Sequence, residues 1–116
     1  MRPDDRDAAY LLDMLEAARK VRDYVRGKTF ADFEASPMLR DAVERNVEII
    51  GEAARLVSDA FKTTHPEVPW RQIVAQRNVL VHQYRTIDEK ELWEVAEVHI
   101  PRLIADLEPL VPPAPA

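Results

Sequence analysis

From residue 11 to residue 25 the apolar side chains fall three and four apart: Leu11, Met14 or Leu15, Ala18, Val21 and Val25. That is the period of one face of a helix. It recurs along the chain with only two glycines to interrupt it, Gly27 and Gly51, and with little strand-like alternation. The expectation is an all-α chain. A first helix starts near Asp4, where Pro3 and the neighbouring acids suit the positive end of a helix dipole, and stops at Gly27. In "KTFADFEA" a helical turn tucks Phe30 and Phe33 into the core. Ser36-Pro37 is a helix start, a capping side chain followed by proline in the first turn. The second long helix is expected to reach Phe61 with a stripe of Leu39, Val43, Val47, Ile50, Ala54, Val57 and Phe61. Ile49 and Leu56 widen that stripe, so the helix should touch more than one neighbour.

Prolines in "THPEVP" break the chain, because the residue before a proline disfavours helix. A third helix follows from Trp70 to Tyr84. Asp88 with Glu91 reads as a capping box for a fourth, which carries Leu92, Val95, Ala96, Ile100, Leu103 and Leu107 and bends at Pro101. Four amphipathic helices with modest connections give an antiparallel four-helix bundle, with one short extra helix between the first two. The helical domain spans 1–110, and 111–116 is a proline-rich frayed tail.

At 116 residues, 47% apolar and 32% charged, the chain has the composition of one globular domain. It has no cysteine, which removes disulfides, thiolate metal sites and thiol nucleophiles. His65, His82 and His99 do not have the spacing of metal ligands, so neither a metal nor another cofactor is expected. No run approaches a membrane span, and "MRPDDRDAAYLL" is too acidic for a signal peptide, which predicts a cytoplasmic protein without membrane partners. A net charge of −5 argues against coating nucleic acid through general electrostatics. A local basic cleft remains open, built from Arg71, Arg77 and Arg85 with Arg45 from another helix. Each of these arginines taken singly reads as part of a solvated face.

Arg77 stands out in the third helix. At roughly 100° per residue, Trp70, Ile73, Val74, Leu80, Val81 and Tyr84 share one arc of about 120°, and Arg77 projects near its middle. An arginine so placed needs a partner, since an unpaired buried charge is costly. One reading is a structural ion pair with Glu48 or Glu52 of the second helix, with His82 capping a cleft. Asn78 and His82, four apart, lie on one edge of the same face, and Val79 points outward, where a second subunit would suit it.

The run Arg77-Asn78-Val79-Leu80-Val81-His82-Gln83-Tyr84 has the R-x-x-x-x-H-x-Y pattern of HepT-like toxins of the HEPN superfamily, which it resembles. "HPEVPWRQIVAQ", "RNVEIIGEAA" and "TIDEKELWEV" are similar to that family too, in the expected order over nearly the whole chain. The resemblance implies a four- or five-helix bundle forming a homodimer, with the two motifs facing each other. It implies a metal-independent endoribonuclease in which Arg77 and His82 are catalytic and Asn78 supports them. It also implies a cognate MntA-like nucleotidyltransferase antitoxin that transfers AMP to Tyr84. The chemistry suits the residue types: histidine titrates near neutrality and can move the 2′-hydroxyl proton, while arginine offers fixed donors to phosphate oxygens. One histidine per chain leaves the leaving-group acid unassigned, and a two-fold dimer would supply it. Two alternatives use the same residues without catalysis: a HEPN module binding a nucleotide or a protein, and a structural dimerising bundle.

Overall fold

The computed structural model describes residues 3–82 and 88–113, and for 79–82 the backbone alone. Every regular element among the described residues is helical: α1 (Asp5–Val25), α2 (Phe30–Ala35), α3 (Pro37–Leu56), α4 (Asp59–Thr64), α5 (Trp70–His82), α6 (Glu89–Glu94) and α7 (Ile100–Leu107). A π-helical turn, Val95–His99, joins α6 to α7 without a break. The all-α expectation is met by four long rods, α1, α3, α5 and α6–α7, with α2 and α4 as short additions.

Local chemistry sets most of the helix starts. Asp4 caps α1 by accepting from the Asp7 amide at 2.7 Å, and Ser36 caps α3 by accepting from Leu39 at 3.2 Å. A complete capping box opens α2: Asp32 donates its amide to Thr29 Oγ1 and its carboxylate accepts from the Thr29 amide. The Thr29 amide holds the Asp32 carboxyl below the usual range. Asp88 caps α6 by accepting from the Lys90 amide at 2.8 Å. Gly27 ends the first excursion with a φ of +72°, a conformation that side chains disfavour.

The core is one cluster. The α1 stripe of Leu11, Met14, Leu15, Ala18, Val21 and Val25 is buried, and it meets Val43, Val47, Ile50 and Ala54 of α3. Alanines at 17, 18, 53 and 54 are all buried and let these two rods pack closely. α5 packs on the other side of α3, and α7 closes against α1. Phe33 is fully buried, while Phe30 is half-buried; their rings lie 5.2 and 6.4 Å from that of Trp93, which ties α2 to α6. Leu110 and Val111 also pack against the core.

Three local features depart from expectation. The second long helix does not reach Phe61: α3 ends at Leu56, Val57 caps it, and Ser58 starts α4 by accepting from the Phe61 amide. The cause is distant in sequence. Asp7 of α1, 4% exposed, accepts from the Ser58 amide at 2.8 Å and from the Ser58 hydroxyl at 2.6 Å. A side-chain acceptor that takes a backbone N–H competes with the helical carbonyl for it. Phe61 is still buried, delivered by α4, but Leu56 is 40% exposed and lies outside the core. At Pro101 the irregularity takes the form of the π-turn, in which the Ile100 amide reaches back to the Val95 carbonyl. Widening the turn before Pro101 accommodates a ring that cannot donate and would crowd the carbonyl four residues earlier.

No helix among the described residues is long and apolar enough to cross a membrane. Replacing Asp7 with alanine removes two bonds to a charged acceptor at the α1–α4 corner. The expected cost is about 2 kcal/mol, read as a lower urea midpoint with an unchanged slope.

Candidate active site

α5 approaches α3 more closely than side chains would ordinarily permit. A Cβ placed on Gly51 would lie 2.1 Å from the Arg77 Cβ, 2.8 Å from its Cγ and 3.2 Å from the Ile73 carbonyl oxygen. Gly51 therefore provides the notch in which the stem of Arg77 rests. Glycine inside a helix costs about 1 kcal/mol relative to alanine, and here that cost is offset by the packing of two rods.

From this seat the guanidinium of Arg77 makes two contacts. Its Nη2 forms an ion pair with Glu52 Oε2 at 3.0 Å, and its Nη1 donates to Asn78 Oδ1 at 3.1 Å. Its Nε is buried with no hydrogen-bond partner among the described residues. The side chain as a whole is 24% exposed. Glu52 is in turn held by Arg55 one turn along α3, which donates to Oε1 at 2.7 Å and to Oε2 at 3.4 Å. The Arg55 hydrogen bonds hold the Glu52 carboxyl below the usual glutamate range; burial opposes them, and the charges of Arg55 and then Arg77 add to the lowering. Of the two carboxylates the sequence left open, Glu52 is the partner; Glu48 pairs with Arg45 within α3 at 3.5 Å.

Arg77 lines a cleft of about 220 Å³ between α1, α3 and α5. Tyr10 and Asp13 come from α1, Arg45, Glu48 and Glu52 from α3, and Ile49 with Leu56 forms an apolar wall. The exposure of Leu56 thus places it at the rim of this cleft. A larger cavity of about 470 Å³, floored by Val47, Ile50, Ile73 and Leu103, opens on the opposite face of α3, and Arg77 is not among its lining residues. The charged groups of interest converge on the smaller one.

The site residues expected from sequence separate into three groups. Arg77, Asn78 and Arg45 come together at or beside the cleft. Arg71 is exposed on α5, roughly 240° around the helix from Arg77. His82 belongs to α5 by its backbone, five residues and roughly 7.5 Å beyond Arg77 along the axis; its imidazole, like the side chain of Val79, lies outside the described residues, as do Tyr84 and Arg85 entirely. Sequence reasoning missed Gly51 and Arg55. The signal for Gly51 was its isolation in the middle of an otherwise strong helical stripe; for Arg55 it was the three-residue spacing from Glu52.

A model of the HepT-like ribonuclease family matches residues 14–110, a span that includes the α3 and α5 walls of the cleft and the whole of α5. The chain belongs to the HepT-like family. It is 38% identical over 101 residues to a Thermococcus cleftensis protein named "Probable ribonuclease HepT", covering 87% of this chain and 92% of that one. It is 37% identical over 100 residues to a Methanocaldococcus jannaschii protein named "Putative RNase MJ1380", covering 86% and 92%. No solved structure matches the chain at a significant level.

Gly51→Ala should drive α5 off α3 at the point where Arg77 sits. The gain in helix propensity is outweighed by overpacking of about 1–3 kcal/mol, so the thermal midpoint should fall, and Gly51→Val should lower it further. Scanning calorimetry of the three proteins checks the order.

Proposed function

We propose that this HepT-like chain is the toxin of a toxin–antitoxin pair, a metal-independent endoribonuclease that acts as a homodimer. The observation that carries this reading is the seating of Arg77: an oriented cation at the rim of a cleft, on the helix that carries His82, in a chain of this family. The ribonuclease names of its relatives support the same activity.

In this mechanism His82 takes the proton from an RNA 2′-hydroxyl, whose oxygen attacks the adjacent phosphorus and expels the 5′-oxygen of the next nucleotide. Arg77 stabilises the charge that builds on the phosphorane oxygens, a role suited to a side chain that never deprotonates. Asn78 restrains the guanidinium through its carbonyl oxygen. A second His82, from a two-fold related copy, donates the proton to the leaving oxygen. Arg45 lines the same cleft and extends the contact along the RNA backbone; Arg85 and, from another face of α5, Arg71 are proposed to bind RNA beyond the cleft. A second reading, a non-catalytic module for a nucleotide or a protein partner, draws support from the acidic share of the cleft lining: Asp13, Glu48 and Glu52.

One experiment separates the two. Purified wild type should cleave RNA equally well with and without chelator. His82→Ala and Arg77→Ala should each lose about 10²–10⁴-fold while keeping the far-UV circular dichroism of the wild type. Retained cleavage in His82→Ala would remove the catalytic assignment of His82, whereas no cleavage by the purified wild type would favour the binding module.

Neutralisation is proposed to run through Tyr84. Its phenolic oxygen would displace pyrophosphate from ATP on the partner nucleotidyltransferase, leaving AMP on the ring. A nucleotide and its negative phosphate would then occupy the space before Arg77 that RNA phosphate needs, a block both steric and electrostatic. Intact-mass spectrometry of the coexpressed pair should show AMP-sized increments on wild type and none on Tyr84→Phe, which should stay toxic. Increments that persist in Tyr84→Phe would assign the modification elsewhere.

A further inference from the structure

The arrangement around Arg77 contains more charge than a simple ion pair requires. Glu52 is shared: Arg55 takes Oε1 at 2.7 Å from within α3, and Arg77 pairs with Oε2 at 3.0 Å from α5. Two positive side chains therefore face one carboxylate, and the group as a whole keeps one positive charge. Had Glu52 met Arg77 alone, the pair would be neutral and would offer little attraction to a phosphate. Because Arg55 draws on the same carboxylate, Glu52 can orient the Arg77 head without cancelling its charge.

The orientation is specific. Below the head, Gly51 admits the stem to within a distance that any other residue would forbid. Nε is buried and has no hydrogen-bond partner among the described residues, so at that atom none of them anchors the guanidinium. It is anchored from its two outer nitrogens, by Glu52 and by Asn78. Asn78 is the neighbouring residue on the same helix and moves with it. Glu52 is the contact that fixes the head relative to α3. Without it the head could swing out to water, and a cation that must be ordered during the reaction contributes less than one already in place.

We infer that Glu52 is a positioning residue for Arg77 and that Arg55, by sharing the Glu52 carboxylate, preserves the positive charge that Arg77 presents to phosphate. The inference rests on the proposed ribonuclease reading for its effect on rate, and on the Glu52–Arg77–Asn78 contacts for its geometry.

The test pairs turnover of an RNA oligonucleotide with hydrogen exchange at the Arg77 Nε–H, a readout independent of cleavage. In wild type that proton should exchange slowly, because Nε is buried; Arg77→Lys identifies its resonance. Glu52→Ala should speed the exchange and lower kcat by about 10- to 100-fold, with a smaller change in KM. Glu52→Gln, which keeps an oxygen facing Arg77, should recover slow exchange and much of kcat. Arg55→Ala should leave the exchange slow and kcat near wild type but raise KM by about two- to fivefold, the scale of a partly exposed charge pair. Unchanged exchange and unchanged kcat in Glu52→Ala would overturn the positioning role, and an unchanged KM in Arg55→Ala would overturn the role given to Arg55. Equal cleavage by wild type and Arg77→Ala would instead remove the ribonuclease reading beneath both.

Discussion

The contact between Gly51 and the stem of Arg77 is the constraint on which the cleft depends. Two helices usually stand 8–10 Å apart, a separation set by the side chains between them. Here one of those side chains is missing, and the space it would fill is taken by the Cβ and Cγ of an arginine. The same close approach brings Glu52, the next residue of α3, level with the guanidinium. Spacing of the rods, seating of the stem and pairing of the head are therefore one geometric condition. Packing and the placement of the guanidinium share it, because a methyl group added at residue 51 would meet the stem of residue 77.

Around that contact the chain handles its charge locally. Its net charge is −5, and carboxylates line the cleft beside the arginines. Two of them are already engaged: Glu48 with Arg45, and Glu52 with Arg55 and Arg77. The Arg45–Glu48 pair cancels, the Glu52 group keeps one positive charge, and both are felt only within the roughly 8 Å over which physiological salt screens charge. What an approaching polyanion meets at close range is decided by individual hydrogen-bond donors and not by the overall charge.

Much of the fold could be read from residue order, because its causes are local. The stripe from Leu11 to Val25, the Ser36-Pro37 start and the Asp88 cap each involve residues within a turn or two of one another. The break between α3 and α4 could not be read that way. Val57 and Phe61 continue the apolar period without interruption, and the group that ends the helix is Asp7, fifty-one residues earlier. The site divides along the same line. The unusual position of Arg77 follows from helical phase alone, but the choice of Glu52 over Glu48 depends on where α5 crosses α3. That crossing is set by Gly51, whose significance appears only when a second helix lies against it.

The bond from Asp7 to Ser58 also bears on the order in which the molecule can assemble. Chains emerge from the ribosome N-terminus first, at about 5–20 residues per second. Ser58 precedes Arg77 by nineteen residues (77 − 58). The corner joining α1 to the α3–α4 junction uses only residues that precede α5, so α1, α3 and α4 can set the α3 surface without it. α5 then docks on that surface with Gly51 as the slot for the Arg77 stem; α6 and α7 follow it in the chain, and α7 closes against α1.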